Sequence, residues 1–290
     1  MSRRRFAVVL TFLCVVATSL SVSAPAQQPP PPASAARILL LPRKIISGEH
    51  STLAVLDVNG RLTPGVRVDF SNGDRVTTDA TGRALFVAPL DPGVISAVLP
   101  GHPGRVYTTI LSPTEAASAS IEISAAPRVA SLSDRFELSG RAFCGDADAN
   151  TVTVAGLPAL VLASSPMSLV VLPPPELDSG ESTVLVSCGK NESPRFSIRF
   201  VELTLEASSS PLAPGDHRTL TVRVRGSTGK IGLEARNLAP NIADLNGGNP
   251  IRLSSSGGTD NTAQFQLTGK QRGSFVVSIR LLPTQSSPRP

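Results

Sequence analysis

The run GVRVDFS, residues 65–71, sets Val66, Val68 and Phe70 on one side of the chain and Arg67, Asp69 and Ser71 on the other. Alternation with a period of two marks a strand with one buried face, because successive side chains of an extended backbone point to opposite sides. The pattern returns at Leu220, Val222 and Val224, interleaved with Thr221, Arg223 and Arg225. It returns again near the end at Phe275, Val277, Ile279 and Leu281. Gly, Pro, Asn and Asp separate such runs and turn the chain. No stretch after residue 36 carries a helical period. Many short strands joined by turns predict an all-β fold of antiparallel sandwiches.

Composition agrees. The 290 residues are 41% hydrophobic and only 17% charged, enough apolar material for two or three cores. The formal charge of +5 falls to +2 once Arg3, Arg4 and Arg5 are set aside, leaving 24 Lys and Arg against 22 Asp and Glu. Those three arginines open a segment read as an address rather than as structure. They precede an apolar run, Phe6–Val16, and an A-x-A site at Ala24 and Ala26. That order is the pattern of a secretory signal peptide, residues 1–26, removed from the mature chain. The apolar run is short against the ~20 residues a membrane-spanning helix needs, so no transmembrane segment is expected in the mature chain. SRRRF also has the look of a twin-arginine signal, so general secretory and twin-arginine export both stay open. Cys14 follows Leu13 where lipoprotein motifs have Gly or Ala, and is read as an apolar residue of the discarded segment.

Residues 27–36, with four consecutive prolines, form a stiff linker. A small-residue stretch at 112–120 marks a second linker. A further boundary is a switch of parity: Phe196, Ile198 and Phe200 are even, whereas Val201, Leu203 and Leu205 are odd. The inward face changes there, so one strand is expected to end and another module to begin. The expected modules are 37–112, 119–200 and 201–283, followed by a disordered tail, 284–290. LPTQS (282–286) departs from the sortase pattern L-P-x-T-G.

The middle module resembles an IPT/TIG domain, an immunoglobulin-like fold. The likeness rests on FELSGRAF (136–143), NTVTVAG (150–156), LVVLPPP (169–175), STVLVSCG (182–189) and FSIRF (196–200). The first resembles bacterial immunoglobulin-like domains of the invasin type through GVRVDFSNG (65–73) and TTDATGRALF (77–86). The same string also suits carboxypeptidase-regulatory-like sandwiches. The last matches the general immunoglobulin-like pattern through LAPGDHRTLTVRVRG (212–226). These resemblances imply an exported bacterial protein with binding or spacing modules, and fold alone fixes no function.

Two cysteines, Cys144 and Cys188, remain beyond the signal segment, both in the middle module. An even count in an exported chain points to a disulfide. Cys188 shares the parity of Val184 and Val186, so it should face inward. The bond would stabilise by roughly 4 kcal/mol on the loop-entropy account. Two reduced, buried cysteines are the alternative. Zinc would need about four ligands, and His50, His102 and His217 lie in three other segments. A thiol nucleophile would need a base, and the middle module contains no histidine.

Asp146, Asp148 and Asn150 open like a calcium loop and are the calcium candidates. Thr151 and Leu157 stand where an EF-hand has Gly and Glu, and such residues more often cap a loop. Asp216–His217 lacks a serine motif, GGTDN (257–261) and LNGGNP (245–250) lack a following helix, and NES (191–193) fits the N-glycosylation pattern. No cofactor and no nucleic-acid partner are expected. The leading expectation is a non-enzymatic exported cell-envelope protein at the cell surface, in the periplasm or secreted. Its modules would serve adhesion, binding or scaffolding, with a protein or glycan partner. The alternatives are a carbohydrate-binding accessory protein and a periplasmic partner of a secretion or surface-assembly machine. Sugar binding usually stacks on aromatics, and this chain has no Trp and one Tyr, Tyr107.

Overall fold

The structure is a computed structural model describing residues 37–113, 120–206 and 211–282. The expected signal peptide, the proline-rich linker, the tail at 284–290 and most of the 112–120 linker lie outside the described residues. Within them the chain is all β: a tandem of immunoglobulin-like sandwiches.

The first sandwich holds β1 (Ile38–Leu40), β2 (Lys44–Ile46), β3 (His50–Leu56), β4 (Arg67–Phe70), β5 (Arg75–Thr77), β6 (Arg83–Val87), β7 (Gly93–Val98) and β8 (Arg105–Leu111). One sheet runs β1-β3-β6, the other β2-β8-β7-β4-β5. Their inner faces meet at Ile45, Leu53, Val55, Val68, Phe70 and Phe86. Val66, Val68 and Phe70 are buried as the opening alternation demands. Pro42 stands where the chain leaves one sheet for the other, between β1 and β2, a place that needs no ladder donor.

The second sandwich repeats that device. Its strands are β9 (Glu122–Ala125), β10 (Val129–Ser131), β11 (Phe136–Arg141), β12 (Asn150–Val154), β13 (Leu157–Ser165), β14 (Ser168–Leu172), β15 (Gly180–Cys188), β16 (Asn191–Glu192) and β17 (Phe196–Glu206). β9 pairs with β11, whereas β10, beyond Pro127, pairs in parallel with β17. A two-residue turn, Ala155–Gly156, joins β12 to β13 with φ of 52° and 83°, the doubly left-handed turn that matches strand twist. β13 then serves both sheets, pairing β12 through residues 157–159 and β14 through 160–165. The core gathers Leu138, Val154, Leu169, Val184, Val186 and Ile198.

The parity switch at 200/201 falls inside a strand rather than between two. β17 runs unbroken for 11 residues. Phe200 and Val201 are adjacent, fully buried, and belong to different cores. The first half of β17 pairs with β15 and the second half with β18 (His217–Arg225). An extended backbone offers both faces at once, so a single strand can enter two sandwiches without ending. The third sandwich continues with β19 (Gly232–Asn237), β20 (Ala243–Leu245), β21 (Ile251–Ser254), β22 (Thr262–Gly269) and β23 (Val277–Leu281). Its sheets are β17-β18-β22-β20 and β21-β19-β23, closed over Val201, Val222, Leu233, Leu245, Phe265 and Leu267. Leu220, Val222 and Val224 are buried as expected, whereas Phe275, Val277, Ile279 and Leu281 are only partly so.

Candidate functional site

The acidic loop beside Cys144 is where the molecule departs furthest from what its sequence pattern announces. Cys144 and Cys188 form a disulfide, with Cα atoms 5.7 Å apart. Cys188 lies opposite Asn150 in the β12–β15 ladder and packs against the core of the second sandwich. The bond therefore ties the start of the loop to the strand beside the loop's end.

Asn150 closes the loop from within. Its Nδ2 donates to the carbonyls of Cys144 and Asp146, each at 2.8 Å, and lies 3.0 Å from Ser164 Oγ. Its Oδ1 accepts from the Cys144 amide at 3.0 Å. The Ser164 hydroxyl donates to the same Cys144 carbonyl. Asp146 caps a single 3₁₀ turn, Ala147–Ala149, accepting from the Asp148 amide at 3.0 Å. Asp148 forms an ion pair at 2.7 Å with Arg83, a residue of the first sandwich. The three calcium candidates are thus engaged as a hub, a cap and a bridge. No cluster of three or more His, Cys, Asp or Glu able to hold a metal occurs among the described residues.

What the loop does is dock. Thr52 of β3 donates from Oγ1 to the Gly145 carbonyl at 3.0 Å and accepts from the Ala147 amide at 3.1 Å. Gly145 lies so close to β3 that a Cβ there would stand 1.8 Å from the His50 carbonyl oxygen. Only glycine allows that approach. The buried Arg83 guanidinium reaches across as well, donating to the Val161 carbonyl at 3.2 Å. Beside this polar half lies an apolar half, Leu40, Ala54 and Leu56 against Leu162, Ala163 and Val170. β3 and β13 pair at Thr52 and Ser164, which makes one sheet of two, and Ser165 Oγ donates to the Lys44 carbonyl at 2.6 Å. Nothing in the sequence pattern announced Thr52, Arg83 or Gly145 as partners, for their contacts span 65 to 95 residues.

The turn that presents Arg83 is braced by Asp79. The Thr81 hydroxyl first, then the Thr81 and Arg83 amides, hold its carboxyl below the ordinary aspartate range. The Arg61 amide foremost does the same for Asp57, as the Arg67 guanidinium does for Asp69.

The remaining candidates are dispersed. His50 and His217 are exposed, and His102 is half-buried. His217 Nδ1 shares a hydrogen bond with Thr268. Asp216 Oδ2 accepts from the Ala213 amide at 3.3 Å, so Asp216 is engaged within its own turn and His217 across the sheet. In GGTDN, Asn261 ties the loop to the carbonyls of Ser227 and Gly229. Asn191 of the glycosylation pattern is exposed, while Ser193 is buried against the Val186 amide. Tyr107 is 62% exposed.

Among the described residues are two notable concavities. A cleft of about 230 Å³ opens between the sheets of the first sandwich, over Phe70, Val76, Phe86 and Ile95. A groove of about 510 Å³ draws on all three sandwiches, among its walls Leu39, Phe136 and Leu281 and the Arg43–Glu137 ion pair. Among the described residues no helix is long and apolar enough to cross a membrane.

No family model matches this chain, and no curated protein matches it. Solved structures do. Domains 1–6 of the surface-layer protein SbsC align with 87% of this chain and 39% of their own, at 13% identity and a TM-score of 0.20. SGBP-B of the Bacteroides ovatus mixed-linkage glucan utilization locus, in complex with a mixed-linkage heptasaccharide, aligns with 82% and 72%, at 10% identity and 0.27. Immunoglobulin domains 1–4 of Sidekick-1 align with 85% and 76%, at 12% identity and 0.26. The chain spans about two-fifths of the SbsC structure, and no residue role is carried over from any of the three.

Proposed function

We propose that this chain is a non-enzymatic exported scaffold of the cell envelope, its sandwiches joined into a stiff body that presents binding surfaces. In this reading residues 1–26 are a cleaved signal. Modules 37–112, 119–200 and 201–283 are invasin-type, IPT/TIG-like and general immunoglobulin-like units, and the partner is a protein or a glycan. The observation that carries the reading is the manner of joining. The first two sandwiches share a sheet through β3 and β13, and the last two share the strand β17. Domains in tandem move relative to one another by default unless their interface is extensive and apolar; both devices restrict that motion, which suits a spacer that holds its ends apart. The disulfide adds support, since such bonds persist in oxidising compartments.

Protease treatment of intact native cells, with a lysed control and detection of the third sandwich, tests this reading. Digestion in intact cells fits surface display, and protection until lysis fits an envelope-internal scaffold. Recovery in the cytosol with two free thiols would sink it.

A second reading, docking of an extended partner segment during surface assembly, has its own observation. β6 pairs on one side only, with β3, and carries exposed Leu85 and Val87 beside the first-sandwich cleft. Such an edge accepts an added strand. Proline at position 85 abolishes a capture that alanine there preserves, if this reading holds.

A further inference from the structure

The disulfide sits inside the second sandwich, yet the loop it anchors does its work outside. We infer that the Cys144–Cys188 bond is the latch of the joint between the first and second sandwiches, so that oxidation of one module fixes the position of another. This goes beyond the scaffold reading and stands without it, because it concerns the purified chain.

The argument follows the loop from end to end. Its far end is held by strand structure, since Asn150 begins β12 and is paired to Cys188. Its near end has no such support. β11 ends at Arg141, and Ala142 takes a φ of 61°, a conformation that non-glycine residues rarely adopt. From there to Ala147 the backbone is outside any ladder. The near end is tethered by the disulfide, by hydrogen bonds to Asn150 and Ser164, by the Phe143 amide donating to the Pro166 carbonyl at 3.3 Å, and by Phe143 and Ala147 packing in the core of the second sandwich. The disulfide alone is covalent.

Immediately beyond it come Gly145, Ala147 and Asp148, the three residues that meet Thr52, His50 and Arg83 of the first sandwich. Gly145 is the residue next to Cys144, so freedom gained by the cysteine is passed at once to the residue whose missing side chain lets the loop lie against β3. The core strands of the second sandwich are less exposed to that freedom. β12 and β15 remain paired over five residues, and Val152, Val154, Val184 and Val186 stay enclosed. Latching consumes two thiols: each sulfur loses a proton, and the two electrons pass to the disulfide of a thiol–disulfide oxidant, which leaves as a dithiol. A dithiol reductant reverses it.

Hydrogen exchange of the full chain, oxidised and after reduction with dithiothreitol under native conditions, tests the latch. Peptides covering 145–149 and 50–54 report the joint, and those covering 152–154 and 183–187 report the core. Reduction is expected to speed exchange at the joint about tenfold while the core changes less than about twofold. Unchanged joint peptides would overturn the inference, and so would an equal rise in both sets, which would make the bond a staple of its own module only. Thr52→Val supplies a second reading that keeps the disulfide. In the oxidised protein it should speed exchange at 145–149 much as reduction does. Reducing the variant should then add less than about twofold, because both changes break one contact. Fully additive effects would show that the bond and Thr52 act separately, and the latch would fall.

Discussion

The two joints of this molecule are built on opposite principles. The second and third sandwiches are joined along the chain, by one strand that leaves one core at Phe200 and enters the next at Val201. The first and second are joined across it, by a loop, a buried guanidinium and two apolar faces brought together from distant segments. A joint along the chain follows from local backbone geometry and leaves a trace in residue parity. A joint across the chain exists only after both partners have folded, and its residues look ordinary until then.

The contrast explains what could be read in advance. Alternation at 66–70 and 220–224 gave the strands, and the parity switch located the second joint to the residue while misjudging it as an end. Parity reports which face is buried, and it is silent on whether the backbone stops. The disulfide was legible from cysteine count and the parity of Cys188. For Asp146, Asp148 and Asn150 capping and calcium both stayed open, because a capped loop and an ion-binding loop use the same residue types; the capping is seen, whereas the Asp148 bridge to Arg83 left no sign. Thr52 and Arg83 left no sign. Thr52 stands in the outward register of β3, and Arg83 opens a strand as many solvated arginines do.

Each joint has a glycine at its closest approach, and these give the largest expected effects. Gly145→Ala drives a methyl against the His50 carbonyl at 1.8 Å. Backbone must move on one side, and we expect a loss of about 3 kcal/mol or more in chemical denaturation. Gly226→Ala meets the Phe200 carbonyl at 2.6 Å with a φ of 87°, for about 2 kcal/mol. Equal losses would mean that the two joints are alike in tolerance.

The apolar halves come next. Leu162 is enclosed between the first two sandwiches, and Leu162→Ala should cost about 2–3 kcal/mol. Leu203, beyond the β17 crossing, is only partly buried. Leu203→Ala should cost about half as much, since less surface is lost. The ranking, read from paired melts, is the test.

Acid should discriminate between the joints. The Asp79 carboxyl is held below its ordinary value, so the folded state binds its proton less readily than the unfolded chain. The stability it contributes is present above the unfolded value of about 3.9 and is lost as pH falls through the lower folded value. Asp57, lowered in the same direction, adds to this in the first sandwich. Because the Asp79 turn presents Arg83, exchange at the first joint should quicken below about pH 4 before that at the second. Asp79→Asn should flatten this dependence.

The sharpest comparison sets one chemical change against itself. Thr52 and Thr108 are both buried threonines of the first sandwich, one facing the joint and one facing the core. The Thr52 hydroxyl donates once and accepts once across the joint. The Thr108 hydroxyl, like that of Ser51, has no hydrogen-bond partner among the described residues. A buried polar group with its partners contributes modestly, whereas one without them costs its full desolvation. Valine keeps the shape of threonine and removes the hydroxyl. Thr52→Val should therefore destabilise by about 2 kcal/mol, leaving the Ala147 amide unpaired, while Thr108→Val should stabilise by about 1 kcal/mol. If both variants lose stability, the interior of the first sandwich satisfies Thr108 through ordered water, and the contrast between a hydroxyl facing the joint and one facing this core disappears.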